Sequence, residues 1–353
     1  MSVIQIPGLV DVHVHLREPG ATQKEDFTTG TMAAIAGGYT QVVDMPNNNP
    51  ATTSEKALDD KIKLATNRVY CDLGFNFGAT KDSLKYFKKI QKKVFGLKLY
   101  MNKTTGPLLT EEANEREIIF KSWAGDQPIM VHAMGETIEI AINLARKYKR
   151  KLHVCHVTTD QIPSIKKAKR ESIRISSEVC PHHLFLNNNN LTKLGPLGMM
   201  QPPLMSRVDQ EKIWDNLDAI DMISTDHAPH TLNEKNDKSD PKFGVPGLET
   251  TLPLMLSAVV DKKITQKRLV EMLATNPRKI FNIPEQENTF VQIDLSKKFK
   301  IGTKKLFTKC GWTPFKNFDG VGEIDQVNLR GEKIFGNGTF IGRPQGKIIY
   351  PKT

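Results

Sequence analysis

Val10-Asp11-Val12-His13-Val14-His15-Leu16-Arg17-Glu18-Pro19-Gly20 reads as a buried strand that runs into a loop. Side chains on an extended strand alternate between its two faces, so His13 and His15 point the same way. Two imidazoles side by side at a strand end form a ready metal clamp. A single strand-end histidine is more often a hydrogen-bonded structural residue; a pair inside an apolar strand favours ligands. Further short apolar runs end in similar chemistry: FGLKLY with Lys98, QPIMVHA with His132, KLHVCHV with Cys155 and His156, IRISSEVCPHH with Glu178, His182 and His183, and DMISTDHAPH with Asp226, His227 and His230. The chain has 9 His, and every one lies in these runs.

The strand pattern recurs along the chain. Runs at 9–15, 40–45, 69–75, 95–100, 128–132, 152–157, 173–179 and 221–226 are short and rich in Val, Ile, Leu and Tyr. Several are continuously apolar, as parallel strands buried on both faces must be. Helical patterns separate them at 28–36, 54–66, 81–92, 111–122, 135–149, 160–170 and 207–217, and two more follow at 248–260 and 265–276. This alternation predicts an α/β fold of the (β/α)8 barrel type. The barrel is expected over residues 8–287. From about residue 288 the pattern changes to TFVQIDL, a Trp312-Thr313-Pro314-Phe315 turn, DQVNLRG and GTFIG. These read as short antiparallel strands, a small β appendage made from 288–353 together with 1–7. Asn187–Asn190 reads as a loop tip in the long seventh connection.

Bulk properties narrow the classes. The chain has 353 residues, 39% hydrophobic and 25% charged, as in a globular protein with ample core. A net charge of +11 comes largely from lysines in helical stretches and reads as solvated helix faces. No nucleic-acid-binding module accompanies it. No apolar run reaches the ~18 residues a membrane span needs. The 4 Cys are too few for a disulfide framework and read as reduced thiols of a cytoplasmic protein.

In a barrel of this type the active site lies at the C-terminal ends of the strands. His13, His15, Lys98, His132, Cys155, His156, Glu178 and Asp226 all fall there by this count. Lys98 is the awkward member, because a lysine cation repels metal and would by itself read as the partner of a carboxylate. Asp226 reads either as a ligand or as a buried partner for a histidine. His153 is expected to face a helix. Strict alternation puts His153 and Cys155 on one face and His156 on the other, so a bend is needed for Cys155 and His156 both to face a metal.

HVHLREPG, the spacing to MPNNNP, GLKLY, VHA, CHV, EVCPHHL and STDHAPH together resemble the dihydroorotases of the amidohydrolase superfamily. The likeness covers nearly the whole chain, including FGVPGLETTLP and GWTPF, and is strongest to the dihydroorotase domain of the animal-type multifunctional pyrimidine-synthesis protein. HLREPG with DHAPH is specific, whereas HxH alone indicates only the superfamily.

The resemblance implies reversible closure of N-carbamoyl-L-aspartate to L-dihydroorotate in pyrimidine synthesis. It implies two zinc ions bridged by a carbamylated Lys98, which removes the objection to a lysine at the metal. His13, His15 and Asp226 would hold one ion, and His132 and His156 the other. Animal-type domains can hold a third zinc through the positions matching His13, Cys155 and Glu178. Asp226 would shuttle the proton. Arg17 matches the family arginine for the substrate carboxylate, with Asn47 and His230 beside it, and Pro246 and Gly247 match backbone contacts to the ring amide. The resemblance also implies a homodimer, and fusion to carbamoyl-phosphate synthetase and aspartate transcarbamoylase. Residue 1 stands only a few residues before the first strand, which suggests an excised domain bearing an initiator Met.

Two departures stand out. Gln201 occupies a position where the family carries Asn or Arg, so it can hydrogen-bond the substrate but supplies no charge. In the loop after the fourth strand Thr104 matches the animal-type pattern, but Thr105 replaces a bulky aromatic residue. Hydantoinases, dihydropyrimidinases and allantoinases share the barrel and the metals, but generally lack an arginine at the position of Arg17. Metal-free relatives that have lost ligands offer a scaffold reading, and here every expected ligand is present.

Overall fold

Parallel strands close into a barrel in the computed structural model, which describes residues 3–352 apart from 105 and 107. Leu9–Val14 pairs with Tyr39–Asp44, which pairs with Asp72–Phe75. That third strand breaks at Asn76 and resumes as Phe77–Gly78. From there the pairing continues through Leu97–Tyr100, Ile129–His132, Leu152–Val154 and Ile175–Val179 to Met222–Ile223. Val14 bridges to His227, and the His15 N–H donates to the His227 carbonyl at 2.8 Å, closing the circle. Each run expected as a barrel strand is one. The sixth and eighth end earlier than expected, because the backbone turns into the left-handed region at His156 (φ 37°) and Asp226 (φ 46°).

Two apolar layers hold the barrel. Val10, Val12, Val43, Met45, Phe95, Met130 and Met222 fill the bore, with Phe281 and Ile349 joining the same cluster. Leu9, Val14, Leu16, Val42, Leu73, Leu97 and Leu99 pack outward in the cluster that takes in the helices. On the first strand this places Val10 and Val12 in the bore, although strict alternation from His13 would put them outside. The pairing register shifts between Asp11 and Val14. One irregularity of this kind re-aims the side chains beyond it, so His13 and His15 face inward as well.

The antiparallel sheet is ordered Val3–Pro7, Phe290–Lys300, Asp319–Leu329, Glu332–Gly336 and Thr339–Phe340. The chain's start thus joins the later strands, and two of these run for 11 residues, longer than expected. Residues 346–352 leave this sheet and return to the barrel, where Leu73 donates to Lys347 O (2.9 Å) and Ile349 to Leu73 O (3.0 Å). The Asn run forms a turn at Asn188–Asn190, capped by the Asn187 side chain. No helix among the described residues is long and apolar enough to cross a membrane.

A buried ion pair joins the first two loops over the barrel. Asp44 accepts the Leu16 N–H at 2.7 Å and meets Lys61 Nζ at 2.6 Å. Lys61 also donates to Met45 O at 2.9 Å and to Asn48 Oδ1 at 2.5 Å. Removing one member of such a pair strands the other charge in the core. Lys61→Met should therefore cost about 3–5 kcal/mol, read from denaturant unfolding.

Candidate metal and substrate site

Strand ends bring most of the expected side chains to one pocket, while Cys155, Glu178 and His230 are fully buried and do not line it. His13, His15, Arg17, Asn47, Lys98, Thr104, His132, His156, Gln201 and Asp226 all line it. Asp226 Oδ1 lies 3.2 Å from His13 Nε2 and 3.0 Å from His15 Nε2. His132 Nδ1 and His156 Nε2 face each other at 2.9 Å. The left-handed turn at His156 supplies the bend that alternation lacked, so Cys155 and His156 both point toward the barrel axis. Lys98 Nζ sits 3.0 Å from Cys155 Sγ.

Beneath this layer His13 Nδ1 contacts Glu178 Oε1, whose other oxygen lies 3.1 Å from His153 Nε2. His153 therefore works inside the bore, and its ring also packs edge-on against Phe281 of the helix Asn276–Phe281. The opposed faces of His13 make two donor groups of His, Cys and carboxylate: His13/His15/Asp226 and His13/Cys155/Glu178, each with its ligand atoms within 4.8 Å of one another. A third group, Cys180/His182/His183, lies at the start of the helix Pro181–Phe185 and does not line the pocket.

The electrostatics suit a cation. Burial would lift the Asp226 carboxyl, but His13 and His15 outweigh it and hold it well below the usual range. Burial and Lys98 pull His13 down, yet Glu178 and Asp226 prevail and raise it to about 10. Burial lowers His15 to about 4, and burial with Lys98 lowers His132 to about 3. In this pocket the buried ring nitrogens His132 Nε2 and His156 Nδ1 have no hydrogen-bond partner among the described residues. His15 and His132 are thus held neutral, while Glu178 and Asp226 hold a proton on His13 that a metal ion would displace; neutral imidazoles and ionised carboxylates are the donor set that zinc takes.

Arg17 stands at the pocket's edge with φ 63°. Its Nε donates to Pro229 O at 3.0 Å, and its Nη2 lies 3.1 Å from His230 Nε2. His15 Nδ1 meets Asn47 Oδ1 at 2.7 Å. Gln201 sits at a cis peptide before Pro202 and reaches Met134 Sδ at 3.4 Å. Pro246 and Gly247 do not line this pocket, and the Gly247 N–H is taken by His227 Nδ1 at 3.1 Å. Thr105 lies outside the described residues.

Sequence reasoning missed Tyr100, Ala228, Phe243 and Gly244 on the pocket wall. Tyr100 was detectable, because it follows Lys98 by two residues on one strand. Ala228 was equally so, standing two residues after Asp226, whereas Phe243 and Gly244 come from a segment that only the fold brings back.

A Dihydro-orotase-like family model matches residues 2–73. The dihydroorotase of Methanosphaera stadtmanae is 36% identical over 98% of this chain and 89% of its own length. The chain belongs to the dihydroorotase family. The multifunctional protein CAD of Squalus acanthias is 43% identical over 97% of this chain, which spans only 15% of that protein's length. A second multifunctional relative, pyr1-3 of Dictyostelium discoideum, is 42% identical and spanned to 16%. Among solved structures, the L-hydantoinase of Arthrobacter aurescens superposes with a TM-score of 0.93 at 24% identity, over 99% of this chain and 89% of that one. The inactive dihydroorotase-like domain of a Chaetomium thermophilum CAD-like protein gives 0.85 at 26% identity, over 99% and 100%. Within this family the pocket described above lies where the fold places an active site.

The pocket wall has a backbone constraint of its own. Gly244 adopts φ +132°, and a Cβ there would stand 2.6 Å from Ala228 O. Gly244→Ala should cost roughly 1–3 kcal/mol in denaturant unfolding. Gly135→Ala, at φ +57° with no atom within 4 Å, should cost less.

Proposed function

We propose that the chain is a zinc-dependent dihydroorotase that interconverts N-carbamoyl-L-aspartate and L-dihydroorotate in pyrimidine synthesis. The observation that carries this is the convergence of a full ligand set with Arg17 in one pocket. A family scaffold without activity, such as the inactive Chaetomium thermophilum domain, has no need of such a set.

His13, His15 and Asp226 would hold one zinc, His132 and His156 a second, and a carbamylated Lys98 would join the two. His13 Nδ1, Cys155 and Glu178 form the candidate third position. Bound zinc supplies Lewis acidity and a water that ionises near neutral pH. Asp226, ionised and beside both histidines of the first strand, would accept a proton during ring opening and return one during closure. Arg17 offers a planar fork to the substrate's α-carboxylate, with Asn47 and His230 adjacent. Gln201 and Thr104, which line the pocket, would hydrogen-bond the ring, and Pro246 and Gly247 would need a shift of their loop to do so.

Four free thiols fit a reducing cytoplasm. A homodimer is the oligomer that the resemblance implies. Relatives named simply as dihydroorotases are spanned over most of their length, so these matches do not require the fused arrangement. A hydantoinase or dihydropyrimidinase reading shares the fold, but gives no role to Arg17 at the pocket's edge. The ultraviolet absorbance change on dihydroorotate hydrolysis, with zinc measured on the same sample, tests the function directly.

Lys98→Ala should lose zinc and activity together, because one change removes the ligand common to both ions. Retention of two zinc ions with full activity would sink the binuclear reading. Arg17→Lys should keep its zinc yet lose about 1.5–3 kcal/mol of transition-state binding to dihydroorotate, as a drop in kcat/KM. Faster hydrolysis of dihydrouracil than of dihydroorotate by the native chain would instead favour the dihydropyrimidinase reading.

A further inference from the structure

His230 is buried and sits among three cations, Arg17, Lys24 and Lys235. Burial and these charges push its ring well below the ordinary histidine range, so it stays neutral with a single ring proton. Which nitrogen carries that proton is decided by its neighbours. Lys24 Nζ lies 3.2 Å from Nδ1 and 3.0 Å from Glu234 Oε1. An ammonium paired with a carboxylate has donors only, so Nδ1 must accept from it. Nε2 meets an acceptor, Phe243 O, at 3.0 Å and a donor, Arg17 Nη2, at 3.1 Å; with Nδ1 accepting from Lys24 the proton sits on Nε2 and goes to Phe243 O, which leaves that arm of Arg17 without an acceptor on the ring.

The opposite tautomer is also prepared. Glu234 Oε2 stands 3.8 Å from Nδ1, and Arg17 Nη2 stands 3.1 Å from Nε2. Were Lys24 absent, the ring could donate from Nδ1 toward Glu234 and accept from Arg17 at Nε2. That state turns a lone pair toward the anion's position and occupies one arm of Arg17. The surrounding frame is tied by hydrogen bonds: Trp312 Nε1 donates to the His230 carbonyl at 2.7 Å, and Lys235 donates to Met199 O, Lys242 O and Gly244 O.

We propose that Lys24 is a positioning residue that locks His230 as its Nε2–H tautomer, so that the ring donates to the substrate carboxylate beside Arg17. The proposal rests on the reading of Arg17 and His230 as the carboxylate grip. On binding, the carboxylate takes the Nε2–H over from Phe243 O, whose residue lines the pocket. Lys24 itself touches neither substrate nor metal ligands in this scheme; it acts through His230.

The test is nitrogen-15 NMR of the zinc-loaded protein labelled at histidine, with His230→Asn to assign the ring. The native protein should show His230 protonated at Nε2. In Lys24→Met the proton should move to Nδ1, with zinc content retained and KM for dihydroorotate raised about tenfold while kcat changes far less. Lys24→Arg, which keeps a charged donor, should restore both the tautomer and KM. An Nδ1–H ring in the native protein, an unchanged tautomer in Lys24→Met, or a loss confined to kcat would overturn the proposal. The native spectrum alone decides if Lys24→Met does not fold. A native KM in His230→Asn would remove the carboxylate grip itself, a separate failure that leaves the tautomer result standing.

Discussion

Asp11 closes the barrel directly under the site. Its two carboxylate oxygens accept the His13 and Thr225 N–H groups, each at 3.0 Å. One side chain thus ties the first strand to the eighth where the ring of strands must join. The register shift beside it carries His13 and His15 into the bore, and Thr225 precedes Asp226. The position of Asp226 between both histidines follows from this tie. Burial pushes the Asp11 carboxyl up to about 7, against the pull of the hydrogen bonds it accepts. Most of its solvation has been given up to hold two backbone donors that would otherwise be orphaned in the core.

Backbone strain is concentrated at the same level of the barrel. Arg17, His156 and Asp226 all take positive φ without being glycine, which costs of order 1–3 kcal/mol each. Each departure turns a side chain that a regular strand would aim elsewhere. At His156 the result is a pair of adjacent residues both facing the axis. At Arg17 it is a guanidinium laid across Pro229 toward His230.

The antiparallel appendage contributes to the site through its connecting segment. Trp312 donates to the His230 carbonyl, Thr308 Oγ donates to Glu25 at 2.5 Å, and the Phe307 and Thr308 N–H groups reach Glu249. Residues 307–312 thereby brace the rim on which Lys24 and His230 sit. Burial lifts the Glu249 carboxyl to about 7, against the pull of the two backbone N–H groups it accepts.

The barrel was legible because its strands are buried on both faces and so stand out as apolar runs, each ending in a ligand-type residue. That His13, His15, His132 and Asp226 would meet at the strand ends was legible for the same reason, as was the place of Arg17 beside them through HLREPG. Alternation could not place Cys155 beside His156, or Val12 beside His13, because local left-handed turns and a register shift override a two-residue period. His153 read as a helix-facing residue and lies in the bore against Glu178, since its partner is distant in sequence. The linkage of Lys24, Glu234 and Phe243 around His230 left no mark on any short segment. Composition and periodicity set which residues are buried and on which kind of element; which of them meet, and which nitrogen of a ring is free to donate, was decided only when distant loops were packed together.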